Sequence, residues 1–145
     1  MYTHILLPTD GTPSSVEAIH SCMQLAKSLK AKVTGLHVIP TYHFFSTQTG
    51  MFADTKEQFA MERMKYAERY LAAIEFAAKE MGVTCETAHE TSDHPYEEII
   101  RIAEQKGCDL IAMASHGRKG VKGLWISSET QKVLTHSKIP VLVYR

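Results

Sequence analysis

The sequence predicts an α/β domain, a doubly wound five-stranded parallel sheet of strand order 3-2-1-4-5. Short apolar runs alternate along the chain with longer amphipathic stretches, which is the pattern of strands joined by right-handed helical crossovers. One of those runs, Asp109-Leu110-Ile111-Ala112-Met113-Ala114, is apolar throughout after its first residue, as a central strand covered on both faces should be. The 145 residues suit one domain, 1–145, with a core that removes roughly two thirds of the unfolded chain's surface from water.

Each element has its own signal. Ile5-Leu6-Leu7 is a buried strand stopped by the turn-forming Pro8-Thr9-Asp10-Gly11. Thr12 is a cap and Pro13 a first helical residue, and Val16, Ile19, Met23 and Ala26 mark a core face running to about Leu29. Val33 to Ile39 reads as strand two, closed by Pro40. Residues 40–55 have no helical period yet carry Tyr42, Phe44, Phe45, Met51 and Phe52, which predicts a long apolar loop, either beside a ligand or partner or as a cover on the core. Apolar positions 60, 64, 67, 71, 74, 78 and 81 then define one face of a long helix ended by Gly82. Val83 to Ala88 alternates like a strand with one wet face. Pro95 opens the next helix, with Glu97 and Glu98 at its positive end and Tyr96, Ile99, Ile100 and Ala103 on one side. After the strand at 109–114, Ser128-Glu129-Thr130-Gln131 matches a capping box with Ser128 as the cap, and Ile139 to Tyr144 closes the chain as a strand. Pro140 fits only an edge or a strand start.

Composition excludes several classes. Lysines plus arginines equal aspartates plus glutamates at 16 each, so no net field gathers a polyanion, and nucleic acid is not an expected partner. No apolar stretch is long enough to span a membrane and no leader pattern precedes Thr3, which predicts a cytoplasmic protein. The three cysteines, Cys22, Cys85 and Cys108, lack metal or disulfide spacing, and the eight histidines are scattered without a ligand motif.

Doubly wound sheets bind ligands at the carboxyl ends of the strands flanking the reversal of winding. Here that crevice lies between strands one and four, bordered by Pro8-Thr9-Asp10-Gly11 and by the loop Met113 to Gly120. The second loop leads to a helix whose first amides, near Ser127 to Thr130, are donors suited to phosphate.

These segments carry a resemblance over the whole chain. The opening Ile5-Leu6-Leu7-Pro8-Thr9-Asp10, Leu36-His37-Val38, Ser115-His116-Gly117 and the closing Pro140-Val141-Leu142-Val143 resemble the universal stress protein (UspA-like) family. In nucleotide-binding members the phosphate loop reads Gly, two residues, Gly, nine residues, Gly, then Ser or Thr. The same frame here is Ala114, Ser115-His116, Gly117, the nine residues 118–126, Ser127 and Ser128, so the spacing is kept while two of three glycines are replaced. Serine at 127 would be strained by roughly 1–2 kcal/mol if that position needs a positive φ, so a weakened or altered pocket is expected rather than a lost one.

The resemblance implies an adenine-nucleotide α-hydrolase-like (Rossmann-like) fold binding ATP or a related adenine nucleotide, with Mg²⁺ on its phosphates. It implies Asp10 beside the ribose or that Mg²⁺, the Val38 backbone and Met113 around adenine, and Gly117, Ser127, Ser128 and Thr130 on the phosphates. Pro8, Thr9, Ala114, His116 and Glu129 complete the set, Glu129 bringing a negative charge near the phosphates unless its side chain points outward. Each has a plainer alternative: Asp10 as a turn former, Val38 and Met113 as core, Ser128 as a helix cap, Arg118, Lys119 and Lys122 as a solvated basic run.

Three functions compete: a nucleotide-binding regulatory module with little turnover, a slow ATP hydrolase, and a dimeric protein without nucleotide that acts through protein partners. Asp10 and His116 are the only candidates for acid or base chemistry and no activating partner accompanies them in the sequence. A homodimer through the final strand, by way of Pro140, Val141 and Val143, is expected from its uncharged edge and from the resemblance; the alternative is an edge covered by the chain's own loop 40–55.

Overall fold

A computed structural model describes residues 1–42, 55–115 and 127–145 of the chain. Its elements are β1 (His4–Pro8), α1 (Pro13–Leu29), β2 (Lys32–Ile39), α2 (Lys56–Met81), β3 (Cys85–Thr91), α3 (Pro95–Gln105), β4 (Leu110–Ala114), α4 (Ser128–His136) and β5 (Val141–Tyr144). The sheet runs β3-β2-β1-β4-β5 with every pair parallel, the order expected from the alternation of elements.

The period-two geometry of strands sorts the core into two layers. Ile5 and Leu7 of β1 and Leu110 and Ala112 of β4 point to one face, where Ile19, Cys22 and Met23 of α1 and Leu71 and Ile74 of α2 cover them. Leu6, Ile111 and Met113 point to the other, beneath Ile99, Ile102 and Ala103 of α3 and Val133 of α4. Among the described residues no helix is long and apolar enough to cross a membrane.

Four boundaries differ from the periodicity. The core face of α1 omits Val16, which is 52% exposed, and uses Ser15 and Ala18 instead. Helix α2 starts at Lys56, ahead of Ala60, because Thr55 and Gln58 form a reciprocal capping box, and its buried face begins at Phe59. Strand β3 runs from Cys85 to Thr91 rather than from Val83 to Ala88: it follows β2 along its whole length as an edge, where polar side chains are tolerated. The cap of α4 is Ser127, one residue before the expected Ser128.

Candidate functional site

Strand β1 leads to α1 on one face of the sheet and β4 leads towards α4 on the other, so their carboxyl ends form the crevice where winding reverses. On the β1 side, the Thr9 amide donates to the Leu36 carbonyl (2.8 Å) and prolongs the ladder with β2. Asp10 Oδ1 accepts from the Thr12 amide (3.0 Å) and hydroxyl (2.6 Å), and the Thr12 hydroxyl in turn accepts from the Ser15 amide. Asp10 therefore does shape the turn that starts α1, but it does so through one oxygen. Among the described residues Oδ2 takes no hydrogen bond.

On the β4 side a chain of hydroxyls ties α4 to the strand end. The Thr130 hydroxyl donates to the Ala114 carbonyl (3.0 Å), so in the Ser127–Thr130 contact (2.7 Å) it is Ser127 that donates. Ser127 Oγ also accepts from the Thr130 amide (3.2 Å), and the Ser127 amide donates to the Ser115 carbonyl (2.7 Å). The expected strain at Ser127 is absent, since its φ is −59°, and Ala114 sits in regular ladder with Tyr144. At both described positions where the family frame has glycine, this chain has backbone that any residue adopts.

Two kinds of donor remain at this end. The amides of Ser128 and Glu129, at the positive start of α4, have no acceptor among the described residues. Among the described residues Ser115 Oγ is buried without a hydrogen-bond partner, which costs free energy unless something fills the gap. Ser115 belongs to the loop frame read from the sequence but was not among the expected contacts; its orphaned hydroxyl is visible only in three dimensions.

Other expected residues fall differently. Glu129 turns away from the crevice: Oε2 accepts from the Tyr96 amide (3.1 Å) and Oε1 from Lys132 Nζ (3.2 Å). This is the outward orientation, and the cause is α3, whose N-cap His94 makes no side-chain cap, so the open Tyr96 amide recruits Glu129 across the helix pair. The Thr130 hydroxyl is engaged by Ala114. Met113 is buried, and Val38, half-buried, packs on the same layer. Pro8 ends β1 beside Thr9. His116, Gly117, the basic positions 118, 119 and 122 and the aromatic loop at 43–54 lie outside the described residues. Among those described, no group of three His, Cys, Asp or Glu side chains is gathered for a metal.

A wall the sequence did not announce stands behind the Asp10 turn. His37 Nδ1 donates to the Thr9 carbonyl (2.8 Å), and its ring meets Tyr70 of α2 edge to face at 5.1 Å. Tyr70 stacks on Tyr66 at 6.1 Å, and the guanidinium of Arg63 lies 4.7 Å from the Tyr66 ring centre.

The fold is that of the doubly wound α/β proteins, a class in which ligand sites, where present, lie at the switch point. The sequence profile of the universal stress protein family matches residues 1–145, and the chain belongs to that family. Universal stress protein MJ0577 of Methanocaldococcus jannaschii is 32% identical over 164 aligned positions, covering 100% of this chain and 96% of the relative. A solved structure of the MJ0577 protein superimposes with a TM-score of 0.79 at 28% identity, over 99% of this chain and 95% of that one. Two more distant structures share the fold: a universal stress protein in complex with cAMP (TM-score 0.64, 21% identity, 99% and 97% covered) and one from Archaeoglobus fulgidus in complex with dAMP (TM-score 0.64, 17% identity, 99% and 98% covered).

Proposed function

We propose that this chain is a cytoplasmic, homodimeric regulatory module of the stress response that binds an adenine nucleotide and turns it over little or not at all. The observation that carries the reading is the set of unused polar groups at the switch point: the Ser128 and Glu129 amides, the orphaned Ser115 hydroxyl and Asp10 Oδ2. Donors at a helix start suit phosphate oxygens, while an acceptor in the turn after β1 suits a ribose hydroxyl or a phosphate-borne Mg²⁺. Pro8, Thr9, Val38, Met113 and Ala114 would line the same crevice, and Ser127 would hold the helix start in place. The relatives bound to cAMP and dAMP support an adenine ligand. Mg²⁺, when bound, would offset phosphate charge, with Asp10 as its one protein ligand among the described residues.

Calorimetry with ATP and Mg²⁺ tests this. Binding in the micromolar range is expected, and Asp10→Ala and Ser115→Ala should each weaken it about tenfold, the loss of one hydrogen bond to a charged ligand. Absence of heat and of any thermal shift at millimolar ATP overturns the proposal.

A second reading has its own support, since the Thr130 hydroxyl is closed onto Ala114 and two of the family's loop glycines are absent. In that case the dimer acts through protein partners without nucleotide. Mass spectrometry of small molecules released from the purified, denatured protein separates the two: an adenine nucleotide near one per subunit favours the first.

A further inference from the structure

Gly11 has φ +79°, and a Cβ placed on it would lie 2.3 Å from Cε1 and Cζ of Tyr70. The hydroxyl end of the Tyr70 ring thus occupies the space a side chain at 11 would need, against the turn that carries Asp10. The ring has aromatic neighbours of its own: His37 meets it in a T-shaped contact, Tyr66 stacks on it, and Arg63 and Arg69 lie 4.7 and 5.5 Å from the Tyr66 centroid. His37 grips the same turn a second time through the Thr9 carbonyl. Neither contact comes from α1, whose start the turn forms; they come from β2 and α2.

We propose that Tyr70 is the positioning residue of this site, a clamp by which α2 sets where Asp10 faces the crevice. The part that concerns ligand affinity rests on the nucleotide reading above. The clamp works by shape, through the ring, and the phenol hydroxyl has no part in it. Rotating or sliding α2 would therefore move Asp10 and alter affinity without touching the ligand.

The amides of Gly11 and Thr12 report on the turn directly, because they donate to Thr9 Oγ1 and Asp10 Oδ1 within it. Three variants of the full chain are needed: Tyr70→Ala, Tyr70→Phe, and Leu71→Ala, which removes a core side chain from the same helix. Hydrogen exchange without nucleotide should speed up at Gly11 and Thr12 by about tenfold or more in Tyr70→Ala and stay within about twofold in Tyr70→Phe. Leu71→Ala should lower the unfolding midpoint without that local acceleration. ATP affinity, read by calorimetry, should fall about tenfold in Tyr70→Ala and hold in Tyr70→Phe. Unchanged exchange in Tyr70→Ala overturns the clamp, as does equal acceleration in Tyr70→Phe, which would assign the effect to the hydroxyl and not to the ring. Fast exchange with unaltered affinity overturns the positioning role. A wild type that binds no ATP sinks the nucleotide reading instead, and the exchange measurement still decides the clamp.

Discussion

Asp109 holds the chain's first strand in place with both carboxylate oxygens. They accept from the Thr3 amide (3.1 and 2.9 Å), the Thr3 hydroxyl (3.0 Å) and the His4 amide (3.0 Å). Burial alone pushes this carboxyl up, but the hydrogen bonds from His4 and Thr3 outweigh it and hold the pKa below its ordinary value. The folded state then binds fewer protons than the unfolded chain, so the contribution is complete above the unfolded pKa of about 4 and is lost as pH falls through the folded one. His4 acts in the same direction on a higher window. Burial, and secondarily Lys32, lower its pKa against the opposing pull of Glu86 and Asp109, and its Nε2 is hydrogen-bonded to Thr34 (2.7 Å). Below about pH 6.5 the unfolded chain takes a proton that the native imidazole resists, and stability drops. Urea midpoints across pH should show both losses. Asp109→Asn should be less stable than wild type at neutral pH, and the gap should narrow as pH falls below about 4; a constant gap would refute the assignment.

Helix α4 shows how far an element can be read from its own residues. Three consecutive positions, Ser127, Ser128 and Glu129, offer side-chain oxygens, and the capping-box pattern selects Ser128 with Gln131. The fold selects Ser127, because only that register lets Thr130 turn inward to the Ala114 carbonyl while Glu129 reaches α3. Ser127→Ala should accordingly cost about 1 kcal/mol of stability, and Ser128→Ala no more than a few tenths. Denaturant unfolding checks this, and the reverse ranking would restore the sequence reading. Strands β1, β2 and β4 and the bodies of the helices were legible because burial on two faces writes itself directly into apolar spacing. The polar second half of β3 was not, since its place is set by the ladder with β2 and not by its own side chains. The site was half legible for a related reason. Chain order locates the crevice and loop composition names Asp10 and Ser127, whereas the Tyr70 contact with Gly11 and the Glu129 contact with Tyr96 join residues far apart in sequence, and the burial that orphans the Ser115 hydroxyl exists only in the folded chain.

At the scale of the whole molecule the two sheet edges are treated differently. Strand β3 carries Glu86, His89 and Glu90, and charges of this kind keep an edge from pairing with another chain. Strand β5, Val141-Leu142-Val143-Tyr144, carries none and leaves all its residues half-buried at the opposite edge. Pro140 lies just before it, where its carbonyl accepts from the Ile111 amide and its missing N–H breaks no ladder bond. The side chains of this strand divide: Leu142 and Tyr144 pack on one core layer and Val141 on the other, while Val143 belongs to neither. That leaves Val143 as the residue best able to meet its copy across a two-fold axis, in an isologous contact that would satisfy the edge. It also makes Val143→Lys a cleaner probe than any change at Val141, where a charge would strike the protein's own core. Wild type should sediment as a dimer at tens of micromolar, where a stable interface is saturated, and Val143→Lys as a monomer with an unfolding midpoint close to that of wild type when both are diluted to the monomer range. A wild-type chain already monomeric at that concentration would show that β5 is not the interface.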